Sequence, residues 1–393
     1  MNHSYKHFHR IAWAATLLAL CVIVFGGFVR LSNAGLSCPD WPTCYGRATW
    51  PVQEHEVAAA NAVFERAVEV HKAWREQFHR HLAAILGLLV FALALIATRK
   101  RRLGIASIVS AASLVALSIP TYMGITGFFA ANHQLAVALF LVAELILLIQ
   151  ALRWSNEDAA RLSSLLLAMI IFQAVLGMWT VIWLVKPVIV MAHLMGGLLT
   201  FSMLTWLSWR ATPNAELINA DARWLKNLLW VGLGLLAIQI ALGGWTSANY
   251  AALACGNEFP KCLGSWMPEH NFAEAFVLWR GIGVDYEGGV LDGPARVAIQ
   301  LVHRGMAIVV AGYLLSIAIK LIRTPGLVYW GSVLTVLVLA QVALGISNVV
   351  YSLPLWVAVA HNAGAALLLF VLVGLLSRLR EPEQSPELND NER

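Results

Sequence analysis

Apolar stretches of about 20 residues recur along the whole chain, and each is long enough to cross the roughly 30 Å hydrocarbon core of a bilayer. Charged residues make up 12% of the 393 positions and hydrophobic residues 59%, a balance that excludes a soluble globular protein. The sequence predicts about ten transmembrane helices, over residues 11–30, 80–98, 104–126, 132–152, 162–184, 188–208, 227–247, 298–319, 327–350 and 355–377. We therefore expect an all-α polytopic membrane protein in contact with the lipid bilayer.

Basic residues flank the ends of several of these spans. They are Lys6, Arg10, Arg99 to Arg102, Arg210, Arg223, Lys226, Arg378 and Arg380. Because cytoplasmic loops are enriched in lysine and arginine, this placement predicts that both termini are cytoplasmic. The net charge of +5 reflects this topology rather than one basic patch, so we expect no nucleic-acid partner. The first span lacks a small-residue cleavage site and precedes Arg30, which predicts a retained helix.

The chain repeats itself in three blocks. GGFVRLSNAGLSCPDWPTC from Gly26 corresponds to GGWTSANYAALACGNEFPKC from Gly243, and EQFHRHLAAILG from Glu76 corresponds to QLVHRGMAIVVAG from Gln300. The third block is FQAVLGMWTVIWLVKPVIVMAHLMGGLL against AQVALGISNVVYSLPLWVAVAHNAGAALL. Repeats with an even helix count have the same membrane orientation. We therefore predict two parallel-repeat four-helix bundles.

The two repeats differ in length by one helical hairpin. His79 and His193 are 114 residues apart, whereas their counterparts His303 and His361 are 58 apart. The excess of 56 residues corresponds to the non-matching stretch of about 103–154. We predict an N-terminal repeat over 1–225 that contains this hairpin, a C-terminal repeat over 226–380, and a disordered polar tail over 381–393.

Four of the five cysteines form two close pairs in the long loops. Cys38 and Cys44 lie in the first long loop, and Cys255 and Cys262 lie in the second. Both loops are assigned to the periplasmic side, where disulfides persist, so two short disulfides are predicted. A zinc site is the alternative, but the spacing differs from that of a Cys-x2-Cys pair. Cys21 lies within the first span and is interpreted as a small apolar filler.

Four histidines occupy matching positions in the apolar spans of the two repeats. Intramembrane histidines are energetically expensive and usually functional, and a six-coordinate haem iron takes two imidazoles from opposing helices. We predict that His79 pairs with His193 and that His303 pairs with His361. The alternative is that each histidine stabilises helix packing through a hydrogen bond. His133 belongs to the hairpin and is interpreted as a packing or boundary residue.

One ionisable residue distinguishes the two repeats. Glu76 stands three residues before His79, on the same helical face, and its counterpart is Gln300. A carboxylate can accept a proton or stabilise positive charge, which an amide cannot do by ionising, so we predict chemistry in the first half. A helix-start glutamate is the alternative. Arg80 and Arg304 are interpreted as contacts for haem propionates, or as arginines that extend to the membrane interface.

In these blocks, and in LGMWTV with KPVIVMAH, the chain resembles the haem A synthase family over nearly its whole length apart from the hairpin and the tail. The resemblance implies a bacterial inner-membrane oxidoreductase that converts the C8 methyl of haem O into a formyl group by successive hydroxylations. The haem A produced would serve terminal oxidases. Expected partners are haem O synthase, the terminal oxidase assembly machinery and an unidentified electron acceptor.

The resemblance also implies roles for individual residues. Haem O, the substrate, would be held by His79 and His193, the haem B cofactor by His303 and His361, and Glu76 would be catalytic. The family's disulfides fall on the two cysteine pairs described above. The alternative function is a di-haem b-type electron-transfer cytochrome that reacts with quinol. That alternative explains the four histidines but gives no reason for a glutamate in one repeat only.

Overall fold

A computed structural model describes residues 7–123, 132–155, 159–213 and 222–379. These residues form twelve helices: α1 (Phe8–Leu31), α2 (Glu54–Val63), α3 (Val70–Thr98), α4 (Gly104–Met123), α5 (His133–Arg153), α6 (Ala159–Ile182), α7 (Pro187–Ala211), α8 (Ala222–Ala248), α9 (Phe272–Ala275), α10 (Gly293–Ile322), α11 (Val328–Val350) and α12 (Leu355–Arg378). Ten of them, all except α2 and α9, are long and apolar enough to cross a membrane. The predicted all-α class and span number are confirmed. The predicted tail over 381–393 lies outside the described residues.

Two of the helices that carry histidines begin earlier than the hydropathy pattern indicates. α3 starts at Val70 rather than near residue 80, and α10 starts at Gly293 rather than near residue 298. The start of α10 is fixed by Asp292, whose carboxylate accepts a 2.8 Å hydrogen bond from the Ala295 amide. The added turns contain buried polar residues such as Gln77, which donates to the Ala48 carbonyl at 2.8 Å. Hydropathy underestimates the length of these helices, because their first turns contain polar residues that pack against the loops.

The main helix contacts form two four-membered rings. In the first, α1 contacts α3 and α7, and α6 also contacts α3 and α7. In the second, α8 contacts α10 and α12, and α11 also contacts α10 and α12. The rings meet where α7 and α1 pack against α12 and where α7 packs against α8. The helices that carry histidines therefore stand across each ring from one another, α3 opposite α7 and α10 opposite α12.

The hairpin predicted over residues 103–154 corresponds to α4 and α5. These two helices pack closely on each other, and the amide of Gln150 donates a 2.7 Å hydrogen bond to the Ser107 hydroxyl. The pair joins the rest of the chain through contacts of α4 with α3 and of α5 with α6. It thus lies beside the first ring, outside the four helices that build it.

A continuous apolar core fills one end of both rings. It includes Leu93 on α3, Leu204 on α7, Leu314 on α10 and Leu372 on α12, each at most 1% exposed. All four lie at least eleven residues, or roughly 16 Å at about 1.5 Å per residue, beyond the histidine of their own helix. Close packing therefore occupies the half of each ring that lies away from the histidines.

The long loops that cover the histidine end share one local fold. The first long loop (residues 32–69) contains the Cys38–Cys44 disulfide, and the second long loop (residues 249–292) contains Cys255–Cys262. Each disulfide is followed by a tight turn, in which Cys44 bridges Arg47 and Cys262 bridges Ser265. Burial raises the pKa of Tyr45 in the first loop to about 12, an increase that Arg66 opposes, so the phenol is neutral at physiological pH.

The fifth cysteine, Cys21, lies within the apolar helix α1, as the sequence predicts. It is a free thiol on an exposed face of this helix. The helix presents this position outward because α3 and α7 contact other faces of α1, on which Ala15 and Ala19 are buried. Cysteine is small and apolar enough to face lipid.

Candidate functional site: two histidine pairs across helical rings

The four symmetric histidines are half-buried. His79, His193, His303 and His361 each keep part of their surface accessible. Within each ring, the two imidazoles lie near enough to interact electrostatically, His79 with His193 and His303 with His361.

The space beside each imidazole depends on glycine. A β-carbon at Gly26 would come within 2.8 Å of His79 Cε1, and one at Gly345 within 3.1 Å of His361 Cε1. At such distances a methyl group would displace the ring. The neighbouring helix thus approaches each histidine edge at the level of its backbone.

The donor set suits haem better than a metal ion held by side chains alone. Across the described ranges, no three His, Cys, Asp or Glu side chains gather at one point. Haem needs only two protein ligands, because the porphyrin supplies four nitrogens to the iron. The Nδ1 atoms of His79, His193 and His361 are buried without a hydrogen-bond partner among the described residues. In these three imidazoles Nδ1 is therefore not committed to a hydrogen bond within that part of the chain, although His361 Nε2 lies 3.5 Å from Gln341 Nε2.

Glu76 lies where α3 meets the first disulfide loop. Its carboxylate is 5% exposed and accepts hydrogen bonds from the Cys38 amide at 2.8 Å and the Ser37 hydroxyl at 3.1 Å. Its second oxygen accepts from Arg80 at 2.6 Å. These three donors satisfy the hydrogen-bonding requirement of the buried Glu76 carboxylate. The sequence placed Glu76 on the His79 face of the helix, and the structure adds a direct connection to the disulfide segment.

The second ring has a different arrangement at the same place. Gln300 is 4% exposed, and its amide donates to the Ala252 carbonyl at 2.9 Å, while its own oxygen has no partner in the described chain. The residue that corresponds to Ser37 is Ala254, so the donor hydroxyl is missing as well. The first ring therefore has a buried acceptor of protons, and the second has a neutral donor.

The two predicted propionate arginines contact loop carbonyls. Arg80 donates to the carbonyls of Asp40, Thr43 and Cys38 at 2.8, 2.6 and 3.2 Å. Arg304 donates to those of Lys261 and Glu258, both at 3.1 Å. Each arginine thereby ties its disulfide loop to the helix that carries the histidine. A propionate contact stays a prediction for both residues.

A buried lysine near the first pair was missed by the sequence analysis. Lys186 precedes α7, the helix of His193, and is 1% exposed. Its Nζ lies 3.5 Å from the ring centroid of Trp279 and 5.5 Å from that of Trp183, with no hydrogen-bond partner in the described chain. Burial lowers its pKa. The available signal was the repeat itself, because the counterpart of Lys186 is Pro354.

Trp279 reaches Lys186 because the second long loop crosses over the first ring. The Tyr286 amide donates to the Leu184 carbonyl at 3.2 Å, and Arg66 pairs with Glu287 at 2.9 Å. Residues of the second repeat therefore contact the first ring at its histidine end, an arrangement that the internal symmetry does not indicate.

The remaining intramembrane histidines take no part in the pairs. His81 contacts the Ala48 carbonyl at 2.9 Å, on another face of α3. His133 begins α5 and packs edge-on against Tyr122, with ring centroids 4.8 Å apart. The position of His133 agrees with its interpretation as a packing or boundary residue.

Comparison with known proteins gives a consistent result along the chain. A family model described as cytochrome oxidase assembly protein matches residues 9–136 and 132–373. A haem A synthase of Shewanella oneidensis is 39% identical over 368 residues, which cover 93% of each chain. A haem A synthase of Beijerinckia indica is 27% identical over 387 residues, or 94% of this chain and 92% of the relative. One from Wolbachia pipientis is 25% identical over 380 residues, with coverages of 91% and 92%.

Proposed function

The chain belongs to the cytochrome oxidase assembly protein family, and on this premise we propose that it is a haem A synthase, a multi-pass oxidoreductase of the bacterial inner membrane. The substrate is haem O, whose C8 methyl becomes a formyl group. Each hydroxylation replaces a C–H bond with a C–O bond to a water oxygen and releases two electrons and two protons to acceptors. The hydrated aldehyde then loses water to give haem A.

The observation that carries the proposal is the difference between two otherwise matching sites. Both rings contain a histidine pair, a glycine beside each imidazole and an arginine that holds the disulfide loop. Only the first adds a buried carboxylate, Glu76, where the second has Gln300. An electron-transfer cytochrome needs two haems but no proton acceptor at one of them, so the di-haem alternative is not favoured.

We assign the roles of the residues accordingly. His79 and His193 hold haem O, and His303 and His361 hold haem B, which supplies reversible one-electron chemistry when bound. Glu76 accepts protons released from the methyl carbon or stabilises positive charge that develops there. Arg80 and the Cys38 amide hold the carboxylate in place from the loop side. Lys186 and Trp279 close the mouth of the first ring and exclude water that is not used in the reaction.

The proposed partners follow from the reaction. Haem O must come from an enzyme that makes it, which is haem O synthase, and haem A must pass to the assembly machinery of terminal oxidases. The electrons leave to an acceptor of the membrane or the periplasm. The face that α4 and α5 add beside the first ring is available for one of these proteins.

Haem extraction from the purified protein tests the function directly. We expect haem B together with haem O, its hydroxylated form or haem A, because a synthase retains substrate or product in its first site. Mass analysis of the extract distinguishes these species, and a sample expressed without haem O synthase serves as the control. An extract that contains haem B alone, from cells that make haem O, would contradict the synthase.

We also propose that the two rings of four helices are sufficient to bind both haems and that the α4–α5 hairpin can be removed from them. Deletion of residues 104–153, with a short polar linker, is expected to leave both haems bound, since α4 and α5 contribute none of the four histidines. The measurement is the haem-to-protein ratio of the purified variant. A correctly inserted deletion variant without any haem would refute this proposal.

A further inference from the structure

The four histidines share one packing arrangement, in which the ring edge rests on a glycine of the adjacent helix. The distance from His Cε1 to a β-carbon built on that glycine lies between 2.8 and 3.3 Å in all cases. The pairs are His79 on Gly26, His193 on Gly177, His303 on Gly243 and His361 on Gly345. The protein therefore repeats this contact four times, twice in each ring.

Three of these glycines are accompanied by a glutamine one turn earlier. The glutamines are Gln173, Gln239 and Gln341, each four residues before its glycine. A spacing of four residues puts the glutamine and the glycine on the same helical face, toward the same histidine helix. The fourth position, four residues before Gly26, is Val22. The exception falls in the ring that we assign to the substrate.

Gln239 contacts the imidazole of His303 directly. Its Nε2 is 3.2 Å from His303 Nδ1 and 3.2 Å from the His303 carbonyl. The amide oxygen is buried and has no partner in the described chain. If His303 bound iron through Nε2, its Nδ1 would carry a hydrogen, and a half turn of the Gln239 amide would give that hydrogen an acceptor in exchange for the bond to the His303 carbonyl. Gln239 is thus placed to fix the orientation of His303.

The other two glutamines pack against the opposite ligand helix of each ring. Gln341 donates to the His361 carbonyl at 3.0 Å and packs against Gly364. Gln173 packs in the same way against Gly196, three residues past His193. Gln173 and Gln341 are repeat mates, but only the side chain of Gln341 is hydrogen-bonded to its histidine: its Nε2 also lies 3.5 Å from His361 Nε2, whereas Gln173 Nε2 has no partner in the described chain. The glutamine itself is missing only beside His79, the histidine of α3.

Val22 offers His79 no hydrogen bond. It is a partly buried hydrocarbon side chain in contact with the apolar core, and His79 Nδ1 is buried without a partner in the described chain. A ligand histidine whose second nitrogen has an acceptor is more basic and more firmly oriented, and loss of such an acceptor typically weakens metal binding by about 10- to 100-fold. His79 is therefore less constrained in its orientation than His303, its counterpart in the second repeat.

We propose that Gln239 is a positioning residue that secures the second-half haem through His303, and that Val22 leaves the bond from His79 to iron labile so that the first-half haem exchanges. The inference rests on the proposed function, in which the first site must take up substrate and release product at every turnover whereas the second keeps its cofactor. The two counterpart histidines thus differ in whether a glutamine can hydrogen-bond to the ring. This difference gives the protein one site that exchanges its haem and one site that retains it.

Haem transfer from the purified protein to excess apomyoglobin tests this assignment. We expect two phases, the faster from the first half. Val22→Gln should slow the fast phase about tenfold and lower the reduction potential of that haem, because an acceptor on Nδ1 stabilises the oxidised iron. Gln239→Leu, nearly equal in volume, should accelerate the slow phase about tenfold and raise the potential of the other haem.

Matched variants separate hydrogen bonding from packing. Val22→Leu changes the size of the side chain without adding an acceptor, so both phases should stay as in the unaltered protein. The inference fails if Val22→Leu slows release as Val22→Gln does, if Gln239→Leu leaves the slow phase unchanged, or if the second half releases its haem first. The Gln239→Leu variant tests the inference even if a polar side chain at position 22 prevents folding.

The phases are assigned without reference to haem type. A His303→Ala/His361→Ala variant retains only the first-half haem, so its single phase identifies that site. If both sites held haem B, the synthase proposal would fail while the comparison of release rates would still stand. If haem O occupied the first site but both haems were released at equal rates, the synthase proposal would stand. The roles proposed for Gln239 and Val22 would then be wrong.

Discussion

Replacement of Glu76 by glutamine is expected to leave haem O bound and to lower its conversion to haem A by at least about 100-fold. The change copies the residue of the second repeat, Gln300, at nearly constant volume. It removes the group that accepts a proton, while His79, one helical turn away, is untouched. Arg80 keeps its three loop carbonyls, so it is not left unpaired when the carboxylate is removed.

The ratio of haem A to haem O in membranes measures this effect, with total haem per protein as the check on folding. Glu76→Asp is the matched control, because it keeps the charge on a shorter side chain and should retain part of the activity. Gln300→Glu should create no second oxidising site, since the second ring lacks the Ser37 hydroxyl. A wild-type ratio in Glu76→Gln would remove the basis for assigning the chemistry to the first half.

Removal of either histidine pair is expected to empty one site and spare the other. The His79→Ala/His193→Ala variant should lose the haem O species, and the His303→Ala/His361→Ala variant should lose haem B, each with roughly half of the total haem retained. The physical reason is that each pair belongs to its own ring of four helices, so the apolar core beyond the other pair is unchanged.

Pyridine haemochrome spectra of the purified variants give the amount of haem, and mass analysis gives its identity. His81→Ala is the control for the first pair, because His81 lies two residues from His79 and its ring hydrogen-bonds to the loop carbonyl of Ala48. It should keep both haems. Loss of the same haem from both double variants would show that the pairs do not act as separate sites.

The sequence by itself determined the membrane class and the internal repeat, and it predicted the two histidine pairs. Hydropathy reports the ten spans because burial in lipid requires about 20 apolar residues in a row, whatever the helices contact. The matching blocks aligned His79 with His303 and Glu76 with Gln300, since both repeats preserve local order. The close cysteine pairs were equally local, and both form disulfides in the structure.

Only the tertiary structure decided what these residues touch. Four contacts join residues that are far apart in the chain. They are the hydrogen bond from the Cys38 amide to Glu76, the packing of His79 against Gly26, the contact of Gln239 with His303 and the packing of Lys186 over Trp279. Such contacts depend on where helices cross and how loops return, within a few tenths of an ångström. Periodicity and composition carry no information on those distances, because they describe which face a residue occupies and not which neighbour meets it.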